Sequence, residues 1–176
     1  MAKPIISWLD KDLAPLSSIK FSSSESSYEP VIAEQASVTE TLYIANNFTK
    51  GQETQQAVDD AVNCYLKVTD RNGTTNSVVV TELWTRAKCS TDTAQTDFTQ
   101  IGLRDDEEVK INITAGDPAR QNTIGGEAND GTREGSGSHN TAEVKMFVQP
   151  PLSTAAEGGV QQFRFVFVYS YGATVS

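Results

Sequence analysis

Every second residue of "QQFRFVFVYSYG" (161–172) is aromatic, from Phe163 through Phe165, Phe167 and Tyr169 to Tyr171. Between them stand Gln162, Arg164, Val166, Val168 and Ser170. Strict alternation over this length is the period of a half-buried β-strand and not of a helix. Five aromatic side chains on one face would form a large apolar patch if nothing covered them. The stretch 161–171 is therefore expected to be a central strand whose aromatic face lines the chain's own core. Further strands are predicted near 4–9, 37–47, 62–70, 76–89, 98–103, 108–115 and 141–149. They are rich in β-branched and aromatic residues, and clusters of Gly, Asp, Asn or Ser separate them.

Asn72-Gly73 lies between two of these runs, and both residues tolerate the positive φ of a tight hairpin turn. The strand after it has neither face cleanly apolar, so it is either central or offers Trp84 to a neighbour. The Gln-rich stretch 51–65 has Ala57, Val58, Ala61 and Val62 near helical spacing, enough for one or two helical turns at most. "VQPPLSTAAEGGVQQ" links the last two strands, which either pair antiparallel or cross between two sheets. Short strands at this spacing predict an all-β fold: an antiparallel β-sandwich, immunoglobulin-like or jelly-roll, with long polar loops.

The chain of 176 residues is expected to form a single domain, 1–176. Residues 1–30 read as an N-terminal arm and a serine-rich linker, and 116–140 as a long polar loop; of these, 17–30 and 116–140 are expected not to be packed. In the arm, Ile5, Ile6 and Trp8 follow Pro4 and form either a docking arm or, the favoured reading, the first strand of the sandwich. Pro4, Ile5, Ile6, Trp8 and Trp84 are the candidate residues for docking a partner.

The formal net charge of −9 gives an isolated domain no means of gripping a phosphate backbone, so no nucleic-acid partner is expected. It also argues against an anionic membrane surface, and no apolar run approaches the roughly 20 residues of a spanning helix. The N-terminus lacks the pattern of a signal peptide, so synthesis in a cytoplasm is expected. Cys64 shares a face with Val62, Leu66 and Val68 and reads as a small buried hydrophobe. A Cys64–Cys89 bridge is conceivable across paired strands, but cytoplasmic synthesis disfavours it.

Candidate chemistry is sparse. The single histidine, His139, sits in a glycine-rich stretch where nothing would hold it between a nucleophile and a carboxylate. Two cysteines and one histidine lack zinc-ligand spacing. The acids Asp105, Asp106, Glu107 and Glu108 lack the spacing of a calcium loop and read as a solvated turn. Asn47, Asn72 and Asn112 each begin a glycosylation acceptor pattern, which has no meaning without secretion. No catalytic, cofactor-binding or metal-ligating residue is expected, and the chain is read as non-enzymatic.

Three stretches, "KPIISWLDKD" (3–12), "GEANDGT" (126–132) and "HNTAEVKMFVQPPLSTAAEGGVQQFRFVFVYSYG" (139–172), resemble a family of small proteins encoded by phages and prophages of Gram-positive bacteria. Members begin on a Lys-Pro-x-Ile-Ser-Trp-like stretch, end on an AEV…P…A…G…F…Y pattern, and lie among tail, baseplate and fibre genes. The resemblance covers both ends of the chain, and its motifs are structural. The serine stretch 17–30 and the Gln-rich 51–57 are not part of it. It implies a virion subunit made in the host cytoplasm, in the tail baseplate or fibre-attachment region. Its partners would be other virion subunits and its own copies as a homo-oligomer. A capsid decoration protein is the alternative within the particle. A module binding host cell-wall glycan is another, with Trp84, Tyr169 and Tyr171 as the stacking face.

Overall fold

The computed structural model describes residues 2–23, 31, 34–74, 77–111, 122–132, 139–152 and 161–172. Two antiparallel sheets make a sandwich, and the last two long strands lie in different sheets. The larger sheet has the order β1-β2-β7-β4-β5, with β1 Ile6–Leu9, β2 Glu40–Asn46, β7 Thr141–Val148, β4 Thr85–Cys89 and β5 Thr99–Gln100. The smaller has the order β6-β3-β8, with β6 Val109–Lys110, β3 Val62–Asp70 and β8 Phe163–Ser170. Alternation decides what each strand buries. On β7, Ala142, Val144 and Met146 point into the core while Glu143, Lys145 and Phe147 stay half-exposed. On β3, Cys64, Leu66 and Val68 meet them from the opposite sheet, with Leu42 and Ile44 of β2. Each large aliphatic side chain fully buried here is worth about 1.5–3 kcal/mol. A smaller cluster of Leu9, Tyr43, Ala45 and Phe48 fills the outer face of β1 and β2.

Four local expectations are corrected. The run 76–89 is not one strand: Val78–Thr81 forms a single helical turn, α1, and only Thr85–Cys89 is extended. Ser77 caps that turn by accepting the Val79 N–H, and Val79 and Val80 are buried. The cause is topological. The turn at Asn72-Gly73 does form, with Gly73 at φ +82 and its N–H donated to the Asp70 carbonyl. However, β3 and β4 belong to different sheets, so the turn opens a crossover and not a hairpin.

The helical spacing in 51–65 also misleads. Residues 51–61 run extended beside the segment 122–131: Ala61 and Ile124 exchange both backbone hydrogen bonds, and the Val58 N–H donates to Gly126. A short Gln-rich stretch cannot offset the cost of helix nucleation when a neighbouring backbone supplies partners. Consequently the described part of the polar loop, 122–132, is packed, with Thr123, Ile124 and Asn129 buried. In the N-terminal linker, Ile19 and Phe21 likewise pack against the core. Residues 24–30, 112–121 and 133–138, on which the rest of those loop expectations and of the strand 108–115 fall, lie outside the described residues.

The fourth correction concerns the aromatic strand. Among the described residues β8 pairs only with β3 and stands at the edge of its sheet, not at its centre. Its aromatic face does turn inward, and the chain's own N-terminal segment covers it. Trp8 meets Phe167 edge-on with ring centroids 6.5 Å apart, and Phe21 stacks on Phe163 at 5.8 Å. Phe163, Phe165, Phe167 and Tyr169 are thus half-buried, while Tyr171 is 40% exposed beneath the Lys3 ammonium.

Candidate functional site

The five candidate docking residues do not form one surface. β1 is a strand of the sandwich, with Ile6 opposite Asn46 and Trp8 opposite Ile44. Ile6 and Trp8 pack on the core, Pro4 is half-buried, and Ile5 is left 56% exposed. Trp84 is buried, its indole N–H donated to Glu82 Oε2 at 3.2 Å. What the structure does bring together is Trp8 and Trp84. Both line one cleft of about 1190 Å³ at the end of the sandwich where β3 and β7 finish and β4 and β8 begin.

Rings and aliphatic side chains form the interior of this cleft: Phe21, Phe163 and Phe165 join the two tryptophans over Leu42, Val79 and Val148. Its polar lining includes Lys20, Arg71 and Arg164, and no carboxylate lines it among the described residues. The Arg71 guanidinium is oriented by a hydrogen bond from Nη1 to Gln162 Oε1 at 3.0 Å. The cleft therefore pairs aromatic walls with cations on a chain of net charge −9. Tyr169 and Tyr171 lie elsewhere. Tyr171 stands six positions beyond Phe165, about 20 Å at the rise of an extended chain. Trp84 and the two tyrosines therefore do not make one stacking platform for a sugar.

A second polar constellation escaped the sequence reading. Buried Asn46, Asn47, Asn129 and Asn140 each point Nδ2 at backbone carbonyls. The Glu127 carbonyl alone accepts from Asn47, Asn129 and Asn140, at 3.2, 3.3 and 2.9 Å. These amides satisfy the inward carbonyls of two irregular segments that have no regular sheet to do so. "GEANDGT" was their one visible trace, because Gly126 and Gly131 leave room that side chains would fill. A Cβ on Gly126 would lie 2.4 Å from the Val58 carbonyl oxygen, and one on Gly131 2.4 Å from the Gln52 nitrogen. Asn47, the first residue of one glycosylation pattern, has its side chain occupied inside this network.

The acidic turn is structural in part. Lys67 of β3 reaches Asp105 at 2.7 Å and Glu108 at 3.1 Å. The Asp105 hydrogen bond raises the lysine above its ordinary value, and the same contact holds the Asp105 carboxyl below the usual range. Among the described residues no group of three or more His, Cys, Asp and Glu is disposed to hold a metal ion. The backbone carbonyl of His139 accepts the Gly125 N–H, which ties this residue to the asparagine-pinned loop. Cys64 and Cys89 are both free thiols in the core. Burial pushes Cys64 up to about 12, with Cys89 nearby adding to the shift, so the thiol stays neutral and a poor nucleophile.

The chain matches no family model, no curated protein and no solved structure. The arrangement suits holding a partner by shape and charge.

Proposed function

We propose that this protein is a non-enzymatic structural subunit of a bacteriophage particle, placed in the tail baseplate or fibre-attachment region and assembled with its own copies or on a symmetric partner. The observation that carries the reading is where the three family-like stretches go. Residues 3–12 supply β1, 126–132 supply the close-packed segment beneath Asn47, and 139–172 supply β7 and β8. The described residues of all three stretches build framework, as expected of a subunit that presents a shape to its neighbours. A symmetric or repeated environment then multiplies weak contacts made by each copy.

Mass spectrometry of purified phage particles tests this reading. The expected result is the protein at a stoichiometry of several copies per particle; its consistent absence from intact particles overturns the proposal. Gold-labelling the subunit then separates a tail position from the alternative, a decoration protein on the capsid lattice. A host-glycan module is the weaker reading, because the ring set it requires is divided between the two ends of β8.

A further inference from the structure

The four sheet edges of the sandwich are unequal. β5 and β6 are two residues each among the described residues. β1 has four, and Pro15 and Leu16 fold back along its outer side, the Leu16 N–H donating to the Trp8 carbonyl at 2.8 Å. β8 runs for eight residues with no proline and a single charge, Arg164. Long, proline-free and mostly uncharged edges are the ones proteins normally blunt, since they template pairing with another strand.

The direction of the backbone groups on β8 follows from its partner. Cys64 and Val68 of β3 use their main-chain groups on the side of Gly102 and Ile111, away from β8. In an antiparallel ladder the main-chain groups alternate sides, so Tyr65, Lys67 and Thr69 bond toward β8. Their register partners are Val168, Val166 and Arg164. The N–H and C=O groups of Phe163, Phe165, Phe167 and Tyr169 therefore point to the open side. None of these four has a backbone partner beyond the strand ladder among the described residues. The same four residues turn their rings inward, and Phe163 and Phe165 line the aromatic cleft, so the first half of the free edge borders it.

Charge identifies the occupant. The cations along this border are Lys3 over the Tyr171 ring, Arg164 on the strand itself, and Arg71 and Lys20 at the cleft. Asp70, opposite Phe163, is turned into its own loop, where Oδ1 accepts the N–H groups of Asn72 and Thr74. A second copy pairing through β8 would offer these cations no carboxylate, because Arg164 is the only charge on the strand. We propose that the open edge of β8 is a docking site for an extended acidic peptide segment of a partner protein, added to the small sheet as a fourth strand. Its main chain would bond to Phe163, Phe165, Phe167 and Tyr169. Its alternate apolar side chains would enter beside the rings, and its carboxylates would meet Arg164 and Arg71. This holds whether or not the protein belongs to a phage particle, so the two proposals stand or fall separately.

The test uses an end-blocked peptide of alternating valine and glutamate, matching the eight residues of β8. Fluorescence anisotropy should show saturable binding, weakened about tenfold when lysine replaces glutamate. Arg164 is exposed, so Arg164→Glu should keep the melting temperature while removing that preference. Residue-resolved hydrogen exchange supplies an independent readout. The amides of Arg164, Val166 and Val168 should be protected in the free protein, and those of Phe163, Phe165, Phe167 and Tyr169 only once peptide is added. The inference is overturned by no binding, by equal binding of the lysine peptide, or by a self-associated protein whose four outer amides are protected without any peptide.

Discussion

At the scale of single residues, the least replaceable positions are those where two irregular backbones touch. Gly126 donates its N–H to Asp60 Oδ1 at 2.8 Å, accepts the Val58 N–H, and leaves no space for a methyl group. Gly126→Ala should therefore lower stability by about 1–3 kcal/mol, read from the urea midpoint, with the same m-value as the parent. Cys64 makes a different prediction. Its thiol titrates near 9.0 when exposed and at about 12 when folded. Above pH 9 the unfolded chain releases this proton while the folded one keeps it. The stability linked to Cys64 is thus whole below pH 9 and is lost as pH rises toward 12. Comparing urea midpoints at about pH 8 and about pH 10.5 should show a smaller loss in Cys64→Ala than in the parent. Equal losses would mean that the thiol is not shielded as described. Burial of Cys64 was legible from its place in an alternating strand. The asparagine network was not, because a buried Asn and a surface Asn look alike until the carbonyls they satisfy are known.

At the scale of elements, alternation was the reliable signal wherever a strand had one buried face. The strand expected over 62–70 is β3, and those over 37–47 and 141–149 contain β2 and β7. The signal failed where a segment is shaped by what it crosses. Val78, Val79 and Val80 are strong strand formers, yet they make a helical turn because the chain must pass from one sheet to the other at that point. Alternation could tell that β8 has an aromatic inner face but not whether it has one neighbour or two. The covering element is the N-terminal segment, and Trp8 against Phe167 is its principal ring contact with the far half of β8. A variant lacking residues 1–9 loses β1 and that contact together. It should bind the dye ANS and melt at a lower temperature than the full chain. An unchanged melt would show that the first strand is a detachable arm and not part of the sandwich.

At the scale of the whole molecule, one strand has two uses: the rings of β8 pack against the subunit's own core, and its backbone edge faces outward. An all-β sandwich was readable from the spacing of strands and turns. Sheet order was not, since it depends on pairings between residues a hundred positions apart, such as Tyr43 opposite Glu143. The docking residues were only partly legible: Trp8 and Trp84 reach the cleft, but as walls and not as exposed anchors, because the pattern shows which residues are apolar and not which of them the fold covers. The most direct test of this division is the unfolding of purified Phe165→Ala. Phe165 is half-buried against Phe21 and Phe163, so the truncation should cost less than a fully buried phenylalanine, about 1.5–3 kcal/mol. The account predicts a clear fall in the denaturant midpoint of the isolated subunit. A variant as stable as the parent that has lost only its assembly would contradict it, and would make the aromatic face an interface.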